Sequence, residues 1–212
     1  MCKTKNNYEH YREILTEEEA KQFQKENYQD YCNEYFNKKN KMRKYGYAYR
    51  IGLMKDHIEL YLGEQYKSIN QYMRNGYTEN IDAKNLDAMI DRINELIICA
   101  PRINEDIVIY RGVDKDAIED ILNEMNQETD IYTEKGFMSA SLRFETVLRE
   151  YPSCQYIMKI YVSKGASALG VDCINDRGEE ELLFPEKQYL RFINKKYKKS
   201  GKTIYEFELI SF

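Results

Sequence analysis

The sequence predicts an α+β protein in one domain, residues 1–212: a helical N-terminal lobe, about residues 1–100, followed by a strand-rich part, about residues 101–212. Three observations carry this. Before Pro101 the apolar residues recur at helical spacing; after it they gather into short runs rich in Val, Ile, Tyr and Phe. Gly165, Gly170 and Gly178 punctuate the later runs. No Gly-x-Gly-x-x-Gly and no Walker-type loop is present, so a doubly wound dinucleotide fold is not supported.

The first helix is announced by Thr16-Glu17-Glu18-Glu19, a capping box in which the Thr hydroxyl takes one orphan amide and Glu19 reaches back to another. It is expected to run into the Lys38–Arg43 region. Tyr66, Ile69 and Met73 mark a second helix with Gly76 as its stop. Leu86, Ile90, Ile93 and Ile97 mark a third, with Asp82 as a cap. Strands are expected at Ile107–Tyr110, Gly136–Ser139, Gln155–Val162, Ala166–Leu169, Glu181–Phe184, Gln188–Ile193 and Thr203–Ile210, with short helices over Asp114–Asn126 and Arg143–Glu150.

Composition narrows the classes. The 212 residues suffice for one well-buried domain, and 32% charged against 42% hydrophobic residues is an ordinary globular balance. No apolar run is long enough to cross a bilayer, so no membrane partner is expected. Met1 to Asn7 leads into polar residues without a secretory signal. The chain is therefore expected to stay where it is made, to leave by a non-classical route, or to have been given without its leader. A net charge of -4 argues against whole-surface attraction to nucleic acid, which leaves a nucleic-acid acceptor disfavoured but open. The basic run Lys195–Lys202 reads as a solvated hairpin tip or, alternatively, as a site for an acidic partner; a second, Lys38–Lys44, has no assigned role. Cys2, Cys32, Cys99, Cys154 and Cys173 are an odd number without ligand spacing, so reduced thiols and no metal site are expected.

Three short segments carry chemistry. Gly178–Pro185 places three glutamates ahead of Leu182-Leu183-Phe184. In a strand Glu179 and Glu181 share one face and Glu180 takes the other. The stretch is either an acidic surface loop before a core strand or a carboxylate pair that acts on a bound substrate. Asp106–Gly112 is an apolar strand ending in Arg111 and Gly112, and Gly136–Leu142 carries Ser139 and Ser141 at i and i+2.

Arginine at a strand end, serines on a strand and then paired glutamates: this order resembles the arginine–serine–glutamate class of mono-ADP-ribosyltransferases, over about Tyr66 to Phe212. It is most like the single-domain bacterial exoenzymes that modify Rho proteins and the catalytic domains of actin-modifying binary toxins. The resemblance implies a mixed β-sandwich core with the helical lobe packed against it. It also implies NAD as co-substrate without a metal, and transfer of ADP-ribose to a target protein in the cytosol of a host or target cell. A translocation or carrier partner stays open. An NAD glycohydrolase and a non-catalytic binding module that retains the fold are the alternatives.

The resemblance also implies roles. Glu181, directly before Leu182, is the catalytic glutamate, and Glu179 orients the acceptor. A Glu at that position is typical of arginine-directed enzymes and a Gln of asparagine-directed ones. Glu180 is equally acidic; phasing against Leu182-Leu183-Phe184 favours the 179/181 pair. Arg111 holds NAD mainly through its phosphates, or else forms a structural ion pair. Gly112, lacking a Cβ, lets the backbone approach the carboxamide. Ser139 positions the catalytic glutamate and Ser141 shares its face; Ala140 departs from the family's Ser-Thr-Ser. Tyr66, Asn70 and Arg74 step by four and line the NAD cleft from one helix, although Tyr66 also fits a core role beside Ile69 and Met73. Arg143, Phe144, Arg149 and Tyr151 are candidates for closing over nicotinamide and phosphate. The loop from Leu169 to Gly178 recognises the acceptor, with Val171 and Ile174 either exposed or folded back on the core.

Overall fold

The computed structural model describes residues 8–37, 56–76, 83–127 and 130–210. Cys2, the Lys38–Lys44 run and the Asp82 cap lie outside the described residues.

Helix α1 spans Glu17–Asn37. Its capping box forms as the residue types require. The Glu19 amide donates to Thr16 Oγ1 at 3.1 Å, and Glu19 Oε2 accepts from the amides of Thr16 and Leu15, each at 3.0 Å. A cap of this kind contributes about 1 kcal/mol. Helical turns at 56–60 pass through a wider stretch, Tyr61–Gln65, into α2, Tyr66–Asn75. Gly63 (φ -84, ψ -120) breaks the helical path there. Gly76 ends α2 at φ 70, and its amide donates to Tyr72 O at 2.7 Å, the left-handed stop glycine permits. Helix α3, Ala83–Cys99, buries its Leu86, Ile90, Ile93 and Ile97 stripe. Helices α4, Lys115–Gln127, and α5, Phe144–Glu150, lie between strands.

The strands are β1 Ile107–Val113, β2 Ile131–Glu134, β3 Met138–Ser141, β4 Tyr156–Val162, β5 Leu169–Gly170, β6 Glu181–Phe184, β7 Gln188–Lys199 and β8 Lys202–Ile210. They form one hydrogen-bonded network in the order β2-β7-β8-β4-β1-β3-β6-β5. The β4–β8 pair is parallel and the others are antiparallel. This is the mixed α+β architecture expected.

Several boundaries differ for physical reasons. β1 continues to Val113 because its ladder with β4 does, from Ile107↔Val162 to Val113↔Tyr156; Arg111 and Gly112 thus lie inside the strand, not past its end. β2 was not anticipated: four residues without apolar alternation pair with β7. Much of the basic run expected at a hairpin tip belongs to β7, and the turn is confined to Ser200 and Gly201, at φ 48 and φ 75. β3 meets β1 through one register pair, Tyr110↔Ser141, but meets β6 through four, from Met138↔Phe184 to Ser141↔Glu181.

β1 is buried on both faces. Ile107, Ile109 and Val113 join the main core with Phe23, Leu86, Ile93 and Phe207, while Val108 and Tyr110 join a second cluster with Phe144, Val147 and Tyr161. Alternation along the strand dictates this split, and it leaves Arg111 in register with the main-core face. The segment after β5 folds back on the core: Val171 is fully buried, and Ile174 packs against the main cluster. At Gly170 a Cβ would stand 2.5 Å from the Tyr28 ring, so α1 rests directly on that backbone.

Candidate active site

A cavity of about 520 Å³ opens where α2, β1, β3 and the chain entering β6 converge. That falls within the ~300–1,000 Å³ typical of small-molecule sites. Tyr66, Asn70 and Arg74 line it from α2, Arg111 and Gly112 from β1, Ser139 and Ser141 from β3, and Glu179 and Glu181 from the acidic run. Tyr66 therefore faces the cavity, while Ile69 behind it is fully buried in the core.

The register of β3 and β6 holds the acidic run. Ser139 sits opposite Leu183, and its hydroxyl reaches diagonally to donate to Glu181 Oε1 at 2.5 Å. Ser141, opposite Glu181, donates to the Glu179 carbonyl at 2.7 Å. Glu180 takes the other direction. Its φ of 50 turns it away from the cavity, where it is 1% exposed and bonded to Thr146 Oγ1 and, at 2.7 Å, to Arg143 Nη1. Its amide donates to Asp172 Oδ2 at 2.8 Å. Burial pushes Asp172 up to about 6, with Asp176, Glu181 and Glu179 adding to the rise against the Glu180 amide bond. Burial also raises the pKa of Glu179, with Arg177 opposing and Glu181 reinforcing the shift.

The cationic side is built on a buried acid. Glu134, the last residue of β2, receives a two-pronged bond from Arg74, 3.0 Å to each oxygen, and lies 3.3 Å from Arg111 Nη2. It also accepts from the Gly136 amide at 3.0 Å. Arg111 Nη1 is buried without a partner. An unsatisfied buried donor costs about 1–3 kcal/mol, so its natural complement is an anionic oxygen brought by a ligand.

Asn70 serves as frame. Its Oδ1 accepts from the Phe137 amide at 3.0 Å and its Nδ2 donates to Tyr61 Oη at 3.1 Å. Gly112 has a second reason to lack a side chain: a Cβ would stand 3.2 Å from Cys154 Sγ and 3.3 Å from Val147 Cγ1, so Cys154 and α5 would each have to give by a few tenths of an ångström.

Arg143 and Arg149 are not on the cavity wall. Expected to close over a ligand, they instead brace the acidic run from behind. Arg143 bonds Glu180 and the Leu15 carbonyl, at 3.3 Å, while Arg149 bonds Glu150 at 2.6 Å and the Gly178 carbonyl. The cause is α5, which starts at Phe144 and presents both guanidinium groups to the back of that turn. Phe144 is likewise in the second core cluster, edge-on to Tyr110 at 5.5 Å, whereas Tyr151 lines the cavity and is 48% exposed.

Sequence reasoning missed three contributors. Arg177, which the sequence places only in a loop, donates to Glu181 Oε2 at 2.6 Å and to the Leu62 carbonyl at 2.6 Å. Glu134 and Tyr61 had not been singled out. For Glu134 the available signal was an acidic residue two before Gly136 and Phe137, which is too common a pattern to select it.

The ADP-ribosyltransferase exoenzyme family description matches residues 20–208, nearly the whole chain. The chain belongs to that family. Among solved structures the chain is similar to Plx2a, an ADP-ribosyltransferase toxin from Paenibacillus larvae, at 20% identity and a TM-score of 0.69 over 95% of this chain and 100% of that one. It is similar to BECa, an ADP-ribosylating toxin of a binary enterotoxin of C. perfringens, whose structure contains NADH. That match has 19% identity and a TM-score of 0.72 over 95% of this chain and 50% of that one, so the chain spans half of BECa. The Clostridium limosum C3 exoenzyme matches at 16% identity and a TM-score of 0.66, over 97% and 100% of the two chains. No curated protein matches the chain. The chain is thus an NAD-dependent ADP-ribosyltransferase by family. Among its described residues, no group of three or more His, Cys, Asp or Glu is arranged to hold a metal ion.

Proposed function

We propose that this chain cleaves the nicotinamide–ribose bond of NAD and transfers ADP-ribose to an arginine side chain of a target protein. The observation that carries the reading is the buried Glu181 carboxylate, held by Ser139 and Arg177 in the same cavity wall system as the unpartnered Arg111 nitrogen.

Breaking the bond leaves the ribose with cationic, oxocarbenium-like character, as in glycoside cleavage. Glu181 stabilises that charge. Ser139 fixes one of its oxygens, which limits the reorganisation needed as the charge develops. Arg111 Nη1 grips a phosphate oxygen, and the Glu134 carboxylate holds the same guanidinium in place from the other side. Glu179, at the cavity and partly buried, receives the acceptor guanidinium and takes its proton; burial, by raising its pKa, improves it as a base.

Incubation of the purified chain with labelled NAD and a cell lysate tests this. The expected result is a labelled protein band whose modified peptide carries ADP-ribose on arginine. Label on asparagine refutes the arginine assignment. Free ADP-ribose without a labelled protein identifies a glycohydrolase, and unconsumed NAD a binding module.

A further inference from the structure

Arg177 already stands where an incoming guanidinium has to stand. Its Nη2 is 2.6 Å from Glu181 Oε2 and 3.5 Å from Glu179 Oε2. Its Nη1 donates to the Leu62 carbonyl at 2.6 Å, so the group is aimed into the cavity and held from both ends. It lines the same cavity as Arg111 and Ser139. Its side chain is 30% exposed, so it is neither locked in the core nor free in solvent. It belongs to the segment between the turn at Val171–Cys173 and β6, two residues before Glu179 in the chain.

We propose that Arg177 is itself an acceptor: the chain transfers ADP-ribose in cis to its own Arg177 side chain. This rests on the arginine-directed reading above. In the step, the bond from ribose C1′ to the nicotinamide nitrogen breaks, and its electron pair leaves with nicotinamide. The Arg177 Nη2 nitrogen forms the new bond to C1′, and the proton it loses passes to Glu179. No oxidant or further reactant is required. Nη2 must leave Glu181 Oε2 to free that oxygen for the ribose, and Glu179 is the neighbouring carboxylate that keeps it in range. An acceptor held on the protein reacts at high effective concentration, so it competes with acceptors in solution.

The test uses the full chain with NAD labelled in its adenylate half, with and without agmatine, a small free guanidine, followed by peptide mapping. The expected result is label on Arg177, accumulating at a rate per chain that does not change on dilution, and slowed by agmatine, which becomes labelled in turn. Arg177→Lys should lose the label from that peptide. Labelled agmatine with unmodified Arg177 overturns the proposal and leaves arginine-directed transfer standing. NAD consumption with neither one modified overturns both. A Glu181→Gln chain mixed with the wild-type chain must stay unlabelled at Arg177; label appearing there, at a rate that rises with concentration, means transfer between molecules and overturns the step in cis.

Discussion

Replacing Glu181 by Gln removes one charge and almost no volume. The amide can keep both neighbours: its oxygen turns to Arg177 Nη2 and its nitrogen donates to the Ser139 hydroxyl, which accepts as well as it donates. The fold should survive. Loss of one charge-assisted bond costs about 1.5 kcal/mol, which for a chain of this size lowers Tm by about 3–6 °C. Catalysis should suffer far more. A carboxylate about 4 Å from a developing unit charge, at an effective dielectric near 20, contributes about 4 kcal/mol. At ~1.4 kcal/mol per decade that is about a thousandfold in kcat. The assay is release of nicotinamide from NAD under saturating conditions, with the Tm measured on the same preparation. A variant with a cooperative melt within a few degrees of wild type and less than about a tenfold loss of kcat would refute the reasoning, because a differential charge interaction of that size could not then be operating.

Arg111→Lys should raise the dissociation constant for NAD by about tenfold or more, since an ammonium cannot both reach Glu134 and offer a second forked donor; calorimetric titration reads this. Glu134→Gln leaves Arg74 and Arg111 without their shared counter-charge. Loss of a buried pair costs about 3–5 kcal/mol, and with Arg74 38% exposed about 2 kcal/mol is expected, a fall in Tm of about 4–8 °C. Asp172 is raised from 3.8 to about 6 in the folded chain, so the folded state binds its proton more tightly than the unfolded state. Its contribution to stability is present at low pH and lost as pH climbs from about 4 through 6. Asp172→Asn should remove that loss, seen as a larger rise in Tm over wild type at pH 8 than at pH 4. An equal difference at both would argue against a buried, titrating carboxyl.

Much of this was legible in the chain. The capping box, the Gly76 stop and the α3 stripe are local signals, and they form as written because nothing tertiary competes with them. The acidic run stood out as three glutamates ahead of a buried apolar stretch, but strand alternation does not set its directions: β6 begins only at Glu181, and the left-handed Glu180 turns that residue away while Glu179 and Glu181 line the cavity. The placement of Arg143 and Arg149 was not legible. A guanidinium at the cap or in the last turn of a short helix reads the same whether it faces a ligand or the back of a turn, and only the fold shows which: Arg143 meets the turned-away Glu180, and Arg149 meets the Gly178 carbonyl. β2 and Glu134 were hidden because a four-residue strand owes its existence to its partner β7 and not to its own pattern.

One register pair, Tyr110↔Ser141, links β1 to β3, yet Arg111 stands on one bank and Ser139, Glu179 and Glu181 on the other. On the proposed reading, a substrate gripped at its phosphates by the first and at its ribose by the second would act as a staple across that gap. It would supply from outside the cross-bracing that the backbone omits, so that part of the energy of holding it would be spent on steadying the two reactive banks.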